Sequence, residues 1–111
     1  MITANGYMRA TKLIIPAARA IISKELRYRY ELTETEIAGY LGVAQAAVSK
    51  YVKGRYSARI KEMEKSIDVS AIREQIGRIA EGRREAANTA ICTVCHKENY
   101  FNCKFSKAEQ A

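Results

Sequence analysis

Residues 32–51 read Leu-Thr-Glu-Thr-Glu-Ile-Ala-Gly-Tyr-Leu-Gly-Val-Ala-Gln-Ala-Ala-Val-Ser-Lys-Tyr, and this stretch is the most informative part of the chain. Thr33 is followed three residues later by Glu36. This is the spacing of a capping box, in which the threonine oxygen accepts from the amide three residues on and the glutamate reaches back. We therefore predict a short helix from Thr33 to about Leu41. Gly42 should end it, since glycine takes the left-handed conformation at little cost.

A second short helix is predicted over about 44–52, and Gly54 should end it. Val48 and either Tyr51 or Val52 should face inward. Small residues stand where the two helices would have to cross closely: Ala38, Gly42 and Ala47. Apolar residues stand where the helices would pack on a preceding one: Ile37, Leu41, Val43 and Val48. Two short helices with a tight turn form a helix-turn-helix, whose second helix fits the major groove of DNA.

Helices are predicted on both sides of this pair. Pro16 favours a first helical turn, and the apolar spacing behind it indicates a helix over about 16–30. Isoleucines recur at helical spacing over about 60–88. They indicate one long amphipathic helix, or two helices broken near Asp68 to Ser70, where either residue could cap a new start. Because we find no confident strand pattern, the predicted fold class is all-α.

Composition favours a small folded protein. The 111 residues are 48% hydrophobic and 28% charged, as in an ordinary soluble domain. No apolar stretch approaches the length of a membrane span, and no signal peptide is recognisable, so we expect a cytoplasmic protein. We do not expect an enzyme. His96 is the only candidate for a histidine base, and no general base, phosphate loop or second ligand cluster accompanies the cysteine thiols.

The charge of the chain favours an anionic partner. There are 19 Lys and Arg residues against 12 Asp and Glu residues, a net charge of +7. The excess of positive charge lies in two blocks. Residues 1–30 contain six basic residues and one acidic residue, and residues 50–61 contain five basic residues and no acidic residue. The segment between them, 31–49, contains three acidic residues and no basic residue. Two basic blocks around a predicted helix pair favour nucleic acid.

Residues 32–51 resemble the lambda-repressor-like (Xre-type) helix-turn-helix, whose usual pattern is roughly L-T-Q-x-E-[LI]-A-x-x-L-G-V-[ST]-Q-x-x-[VI]-S. With Ile15-Pro16-Ala17-Ala18-Arg19-Ala20 in front, the chain is similar to small, mostly archaeal predicted transcriptional regulators that tend to carry a Cys-containing tail. Two positions depart from the pattern. Glu34 replaces a glutamine that often touches the DNA backbone, and Ala44 replaces a capping Ser or Thr.

The resemblance implies a sequence-specific transcriptional regulator that binds double-stranded DNA as a homodimer, with a recognition helix over about 44–52. Base contacts are implied for Gln45, Ala46, Ser49 and Lys50. A glutamine amide suits an adenine edge, because it donates and accepts at once. Contacts to the DNA backbone are expected from Thr33, Lys53, Arg55, Tyr56 and Arg59. The alternative is an architectural nucleic-acid-binding protein without sequence preference.

The chain is thus predicted to have four parts. They are an N-terminal arm over 1–13, a helix-turn-helix DNA-binding domain over 14–57, a long helical dimerisation segment over 58–90, and a Cys-rich tail over 91–111. One DNA-binding unit gives little interface for high specificity, which favours a dimer. The expected dimer interface is an isoleucine stripe that could also pack within one chain: Ile67, Ile72, Ile76 and Ile79.

The tail contains Cys92-Thr93-Val94-Cys95-His96, followed by Cys103. Four interpretations stay open. The thiolates could hold Zn, with His96 or an exogenous group as fourth ligand, or an iron–sulfur cluster. They could instead form a disulfide, which is rare in the cytosol, or remain reduced as redox-sensing thiols. Cys-x-x-Cys-His is also the attachment motif of covalent haem, a modification usually made outside the cytosol.

Overall fold

A computed structural model describes the backbone of residues 10–97 and the side chains of residues 12–95. In this part of the chain, all regular structure is helical, so the predicted all-α class is confirmed. The α-helices are α1 (Ile15–Tyr28), α2 (Glu34–Leu41), α3 (Gln45–Lys53), α4 (Ala58–Ser66), α5 (Arg73–Ala80) and α6 (Glu85–Lys97). A π-helical turn over Ala10–Ile14 leads into α1, and a 3-10 turn over Val69–Ala71 precedes α5.

Helix α1 is the centre of the fold and packs against each of the other five helices. Its side chains explain this position, because Ile22 and Leu26 are fully buried and several buried alanines let neighbouring helices approach closely. Pro16 lies in the first turn, as predicted. The predicted arm over 1–13 is wrong at its end, because residues 10–14 already form a helical turn with Ile14 in the core. The rest of the arm lies outside the described residues.

The helix pair predicted from local signals is confirmed. Thr33 Oγ1 accepts from the Glu36 backbone N–H at 3.1 Å, and Glu36 Oε1 accepts from the Thr33 N–H at 3.0 Å, which completes the capping box. Gly42 ends α2 at a φ of 68°, and Gly54 ends α3 at a φ of 72°. Both angles lie in the left-handed region that glycine adopts with little strain. Ala44 precedes α3 without a side-chain cap.

One long helix over 60–88 is not what the structure contains. Helix α4 ends at Ser66, and Asp68 Oδ1 accepts from the Ser70 backbone N–H at 3.1 Å at the start of the 3-10 turn. The predicted alternative of a break near Asp68 to Ser70 is therefore confirmed. A second break over 81–84, with Gly82 at a φ of 99°, was not predicted. These breaks fold the segment back on itself, so that α5 packs against both α1 and α6.

The isoleucine stripe belongs to the core of a single chain. Ile67 is 9% exposed, Ile76 is 1% exposed, and Ile72 and Ile79 are fully buried in the same cluster as α1. Because these four side chains are covered within one chain, they are not themselves available to a second copy in this fold. This corrects the prediction that the four residues form a dimer interface, because the two breaks turn the stripe inward.

The C-terminal boundary of the helical part also needs correction. Helix α6 runs to Lys97, so the predicted tail over 91–111 begins inside a helix. Cys92 and Cys95 lie on this helix and are 2% and 0% exposed. Cys103, the His96 side chain and the remainder of the tail lie beyond what the structure describes. Of the helices in the described part, none is long and apolar enough to cross a membrane.

Candidate nucleic-acid interface

Helix α3 packs against α1 and α2 through one of its faces. Val48 is fully buried, and Val52 is half-buried against the core. Val52 thus takes the second inward position, and not Tyr51. The helix runs from Gln45 to Lys53, and its end follows from the local sequence because Gly54 comes next. Gln45, Ala46, Lys50 and Lys53 remain exposed on this helix, and a helix that enters a groove requires such an exposed face.

The residues predicted to contact bases lie in the first two turns of α3. Gln45 and Ala46 are exposed in the first turn, and Lys50 is exposed one turn later. Residues three and four positions apart share a helix face, so Ala46 and Lys50 are neighbours on the surface. Ser49 is half-buried, which reduces the reach of its hydroxyl. This face offers a carboxamide that donates and accepts, an ammonium donor, and a methyl group.

The residues predicted to contact the DNA backbone fall into three cases. In the first case, Lys53 at the end of α3 and Arg55 and Arg59 beyond it are exposed. No acidic residue lies between positions 44 and 61. Thr33 is exposed, but its oxygen accepts from Glu36 in the capping box. Its own O–H proton is therefore the group that can reach a phosphate. The third case is Tyr56, whose hydroxyl is already engaged.

Tyr56 is half-buried in a cluster that sequence analysis did not anticipate. Its hydroxyl donates to Oε1 of Glu64, while Lys24 Nζ lies 2.7 Å from Oε2 of the same carboxylate. Lys24 Nζ is also 5.3 Å from the centre of the Tyr56 ring, and Lys61 Nζ is 5.7 Å from it, both within the range of a cation–π contact. The ring of Tyr51 meets that of Tyr56 edge-on at 6.2 Å between centroids. The predicted backbone contact by Tyr56 therefore competes with Glu64.

The protonation states in this cluster follow from its contacts. Burial by itself lowers the pKa of Lys24, but its hydrogen bonds and charge interactions with Glu64 and Tyr56 together outweigh burial, so the Lys24 pKa is raised. Burial, and then the hydrogen bond to Glu64, raise the pKa of Tyr56. At neutral pH, Lys24 is therefore a cation and Tyr56 keeps its proton. The Glu64 carboxylate accepts from both groups.

A shallow pocket of about 290 Å³ lies over this cluster and opens to solvent. Its wall includes Gly54, so the pocket adjoins the end of α3. Its charged lining consists of three lysines and one glutamate: Lys24, Lys61, Lys65 and Glu64. The pocket thus keeps a positive charge after Glu64 is counted. No sequence signal pointed to Lys24 or Glu64, because 40 positions separate them and they meet only through the packing of α1 on α4.

The structure gives a partial view of the predicted metal or redox residues. Cys92 and Cys95 are three positions apart on α6, and both pack in the core. A metal ion, cluster or haem bound to them would have to displace core contacts. Among the residues that the structure describes, no three His, Cys, Asp or Glu side chains are placed to hold a metal ion. Cys103 and the His96 side chain fall outside that set, so a Zn or iron–sulfur site stays a prediction.

The chain was compared with protein-family models, with curated proteins and with solved structures. No match was found in any of the three comparisons.

Proposed function

We propose that this protein is a sequence-specific transcriptional regulator that places α3 in the major groove of double-stranded DNA. One observation carries the proposal: a short helix, anchored by Val48, exposes Gln45, Ala46 and Lys50. This helix leads into a segment that contains several Lys and Arg residues and no Asp or Glu. A helix of this kind fits the width of the major groove. The α2–α3 pair would act as the helix-turn-helix.

In this proposal, affinity and sequence choice come from different residues. Lys53, Arg55 and Arg59 supply phosphate contacts, which position the protein and make its binding fall steeply with salt. Gln45 and Lys50 supply hydrogen bonds to base edges, with adenine the natural partner for the carboxamide. The capping box of α2 fixes the helix that would cross the DNA backbone.

We also propose that the protein acts as a homodimer, because one module of this size buries too little DNA surface for high specificity. The isoleucine stripe is covered within one chain, so the dimer has to use another surface. Sedimentation equilibrium of the full chain, with and without DNA, measures the association. A protein that remains monomeric on a DNA site with two half-sites would contradict this part of the proposal.

A second candidate function is supported by the composition of the α3 face. Ala44, Ala46 and Ala47 offer no hydrogen bonds to bases, so only a few side chains on this helix can read sequence. An architectural nucleic-acid-binding protein would use the basic residues and the shape of DNA without a preferred site.

Selection from random duplex DNA at near-physiological salt separates the two candidates. We expect an inverted repeat with half-sites about one helical turn apart. Gln45→Ala should then relax sequence preference more than it lowers affinity, while the control Lys53→Gln should weaken binding to all sequences alike. Binding without any enriched sequence would favour the architectural function. No binding to duplex DNA by the folded protein would overturn both candidates.

A further inference from the structure

The contacts of Glu64 join three parts of the fold. Lys24 comes from α1, Tyr56 from the segment after α3, and Glu64 from α4. Each carboxylate oxygen accepts from one donor, an ammonium on one side and a phenolic hydroxyl on the other. The Glu64 side chain is 19% exposed and that of Lys24 is 34% exposed, so the pair lies at the surface but is partly shielded from water.

This arrangement has the chemistry of a phosphate-binding site with a carboxylate inside it. Two oxygens of a phosphate diester accept hydrogen bonds from ammonium and hydroxyl donors just as the two Glu64 oxygens do. Lys61 and Lys65 line the same pocket and add positive charge. The pocket is open, and Gly54 in its wall lies between Lys53 and Arg55 in the chain. A DNA backbone held by Lys53 and Arg55 would therefore pass close to this pocket.

We propose that Lys24, Tyr56 and Lys61 form a further binding site for a DNA backbone phosphate, and that the Glu64 carboxylate occupies this site before DNA binds. The proposal rests on the proposed DNA-binding function. Its consequence is that Glu64 weakens binding to DNA of any sequence, since a phosphate must displace it to reach the two donors. The Glu64 carboxylate thus competes with the DNA phosphate for the same donors. Only at a cognate site do contacts made elsewhere offset the free energy needed to displace it.

Two variants of the full chain isolate this effect. Glu64→Gln removes the carboxylate charge but keeps an oxygen that can accept from Tyr56. Glu62→Gln is the matched control, because Glu62 lies on the same helix, its side chain is 76% exposed, and it contacts only Lys65, at 3.6 Å, among the ion pairs of the described residues. Both variants change the net charge equally, so a difference between them reports the contacts of Glu64. Circular dichroism establishes that each variant is folded.

Binding to a random-sequence duplex is then measured by fluorescence anisotropy between about 50 and about 200 mM salt. For Glu64→Gln we expect a salt slope about 0.9 steeper than that of the wild type, the value for one additional phosphate contact. Over this fourfold salt range, that slope gives an additional loss of affinity of about 3.5-fold. Glu62→Gln should keep the wild-type slope. The double variant Lys24→Gln/Glu64→Gln should not show the steeper salt slope of Glu64→Gln. Equal slopes for Glu64→Gln and Glu62→Gln would overturn the proposal.

A second measurement separates this proposal from the DNA-binding function itself. Inorganic phosphate is titrated into Glu64→Gln and Glu62→Gln, and NMR follows the Tyr56 ring and the Lys24 side chain. We expect phosphate to shift these signals in Glu64→Gln only. If no variant binds duplex DNA but this result is obtained, the DNA-binding function fails and the anion site stands. If phosphate leaves the signals of Glu64→Gln unchanged, the site is refuted whatever the wild type does with DNA.

Discussion

The helix pair α2–α3 and the helix pair α5–α6 use their side chains in opposite ways. In α2–α3 the buried side chains are Ile37, Ala38 and Val48. In α5–α6 the buried set extends along both helices: Ile76, Ile79, Ala86, Ala87, Ala90, Ile91, Cys92, Val94 and Cys95. The first pair contributes three buried side chains to the core and has a capping box and glycine ends, whereas the second contributes nine buried side chains. A surface meant for a polar partner can be built only where little side-chain area is needed for packing.

The largest effect should come from the core of the second pair. Ile76→Ala removes a side chain that is 1% exposed, and we expect it to lower the free energy of unfolding by about 2–5 kcal/mol. Urea unfolding of the full chain measures this change. Leu41→Ala, in the half-buried position at the end of α2, is the matched control and should cost less. A larger loss for Leu41→Ala would mean that the first pair carries more of the stability than its burial indicates.

A smaller effect is expected at the start of α2. Thr33→Ala removes the side chain that accepts from Glu36 and should lower the free energy of unfolding by about 1 kcal/mol. Ser57→Ala is the control, because Ser57 caps α4 through a longer hydrogen bond of 3.3 Å to the Ile60 N–H. It should cost about 0.5 kcal/mol. Equal losses in thermal or urea unfolding would show that the reciprocal Glu36 contact adds nothing to the cap.

The turn between α1 and α2 offers a change in the opposite direction. Glu31 has a φ of 57°, in the left-handed region that a side chain disfavours. Glu31→Gly should therefore raise the free energy of unfolding by about 0.5 kcal/mol, after the greater chain entropy of glycine is counted. Arg29→Gly is the control, since Arg29 has a φ of −89° and gains nothing from glycine. If urea unfolding shows that both variants are less stable than the wild type, the backbone conformation of Glu31 does not lower the free energy of unfolding.

The weakest expected effect is a response to alkaline pH through the Lys24–Tyr56–Glu64 cluster. The pKa values of Lys24 and Tyr56 are both raised in the folded protein, so the folded state holds these protons more tightly than the unfolded state. The stabilisation is complete below their ordinary values and is lost as pH rises through the raised ones. Between about pH 9 and about pH 11, the urea midpoint of the wild type should fall further than that of Glu64→Gln. If the urea midpoints of both proteins fall by the same amount, the cluster does not contribute to stability.

The local sequence was enough to predict the first half of the fold. Thr33 and Glu36, three positions apart, fix the start of α2, and Gly42 and Gly54 fix the ends of α2 and α3. These signals are reliable because each involves atoms that are close in the chain, so the rest of the fold hardly alters them. The exposed positions of Gln45 and Lys50 followed from the same helix bounds and from the inward position of Val48.

The second half was predicted less well for a physical reason. A helical spacing of isoleucines indicates that one face is apolar, but it does not indicate what covers that face. The same spacing fits a dimer seam and a helix that folds back on α1, and Ile72 and Ile79 turned out to be covered by their own chain. The break at Gly82 was missed because the apolar pattern continues on both sides of it.

The sequence by itself determined the helical class, the caps and bounds of the helix pair, and the excess of basic residues after it, because these depend on neighbours in the chain or on composition. Only the tertiary structure decided that the isoleucine stripe is core, that Cys92 and Cys95 are buried, and that Glu64 meets Lys24 and Tyr56. Each of these depends on which helices pack together. Contacts between residues 40 positions apart, such as Lys24 and Glu64, follow from the whole set of packed faces and from no local pattern.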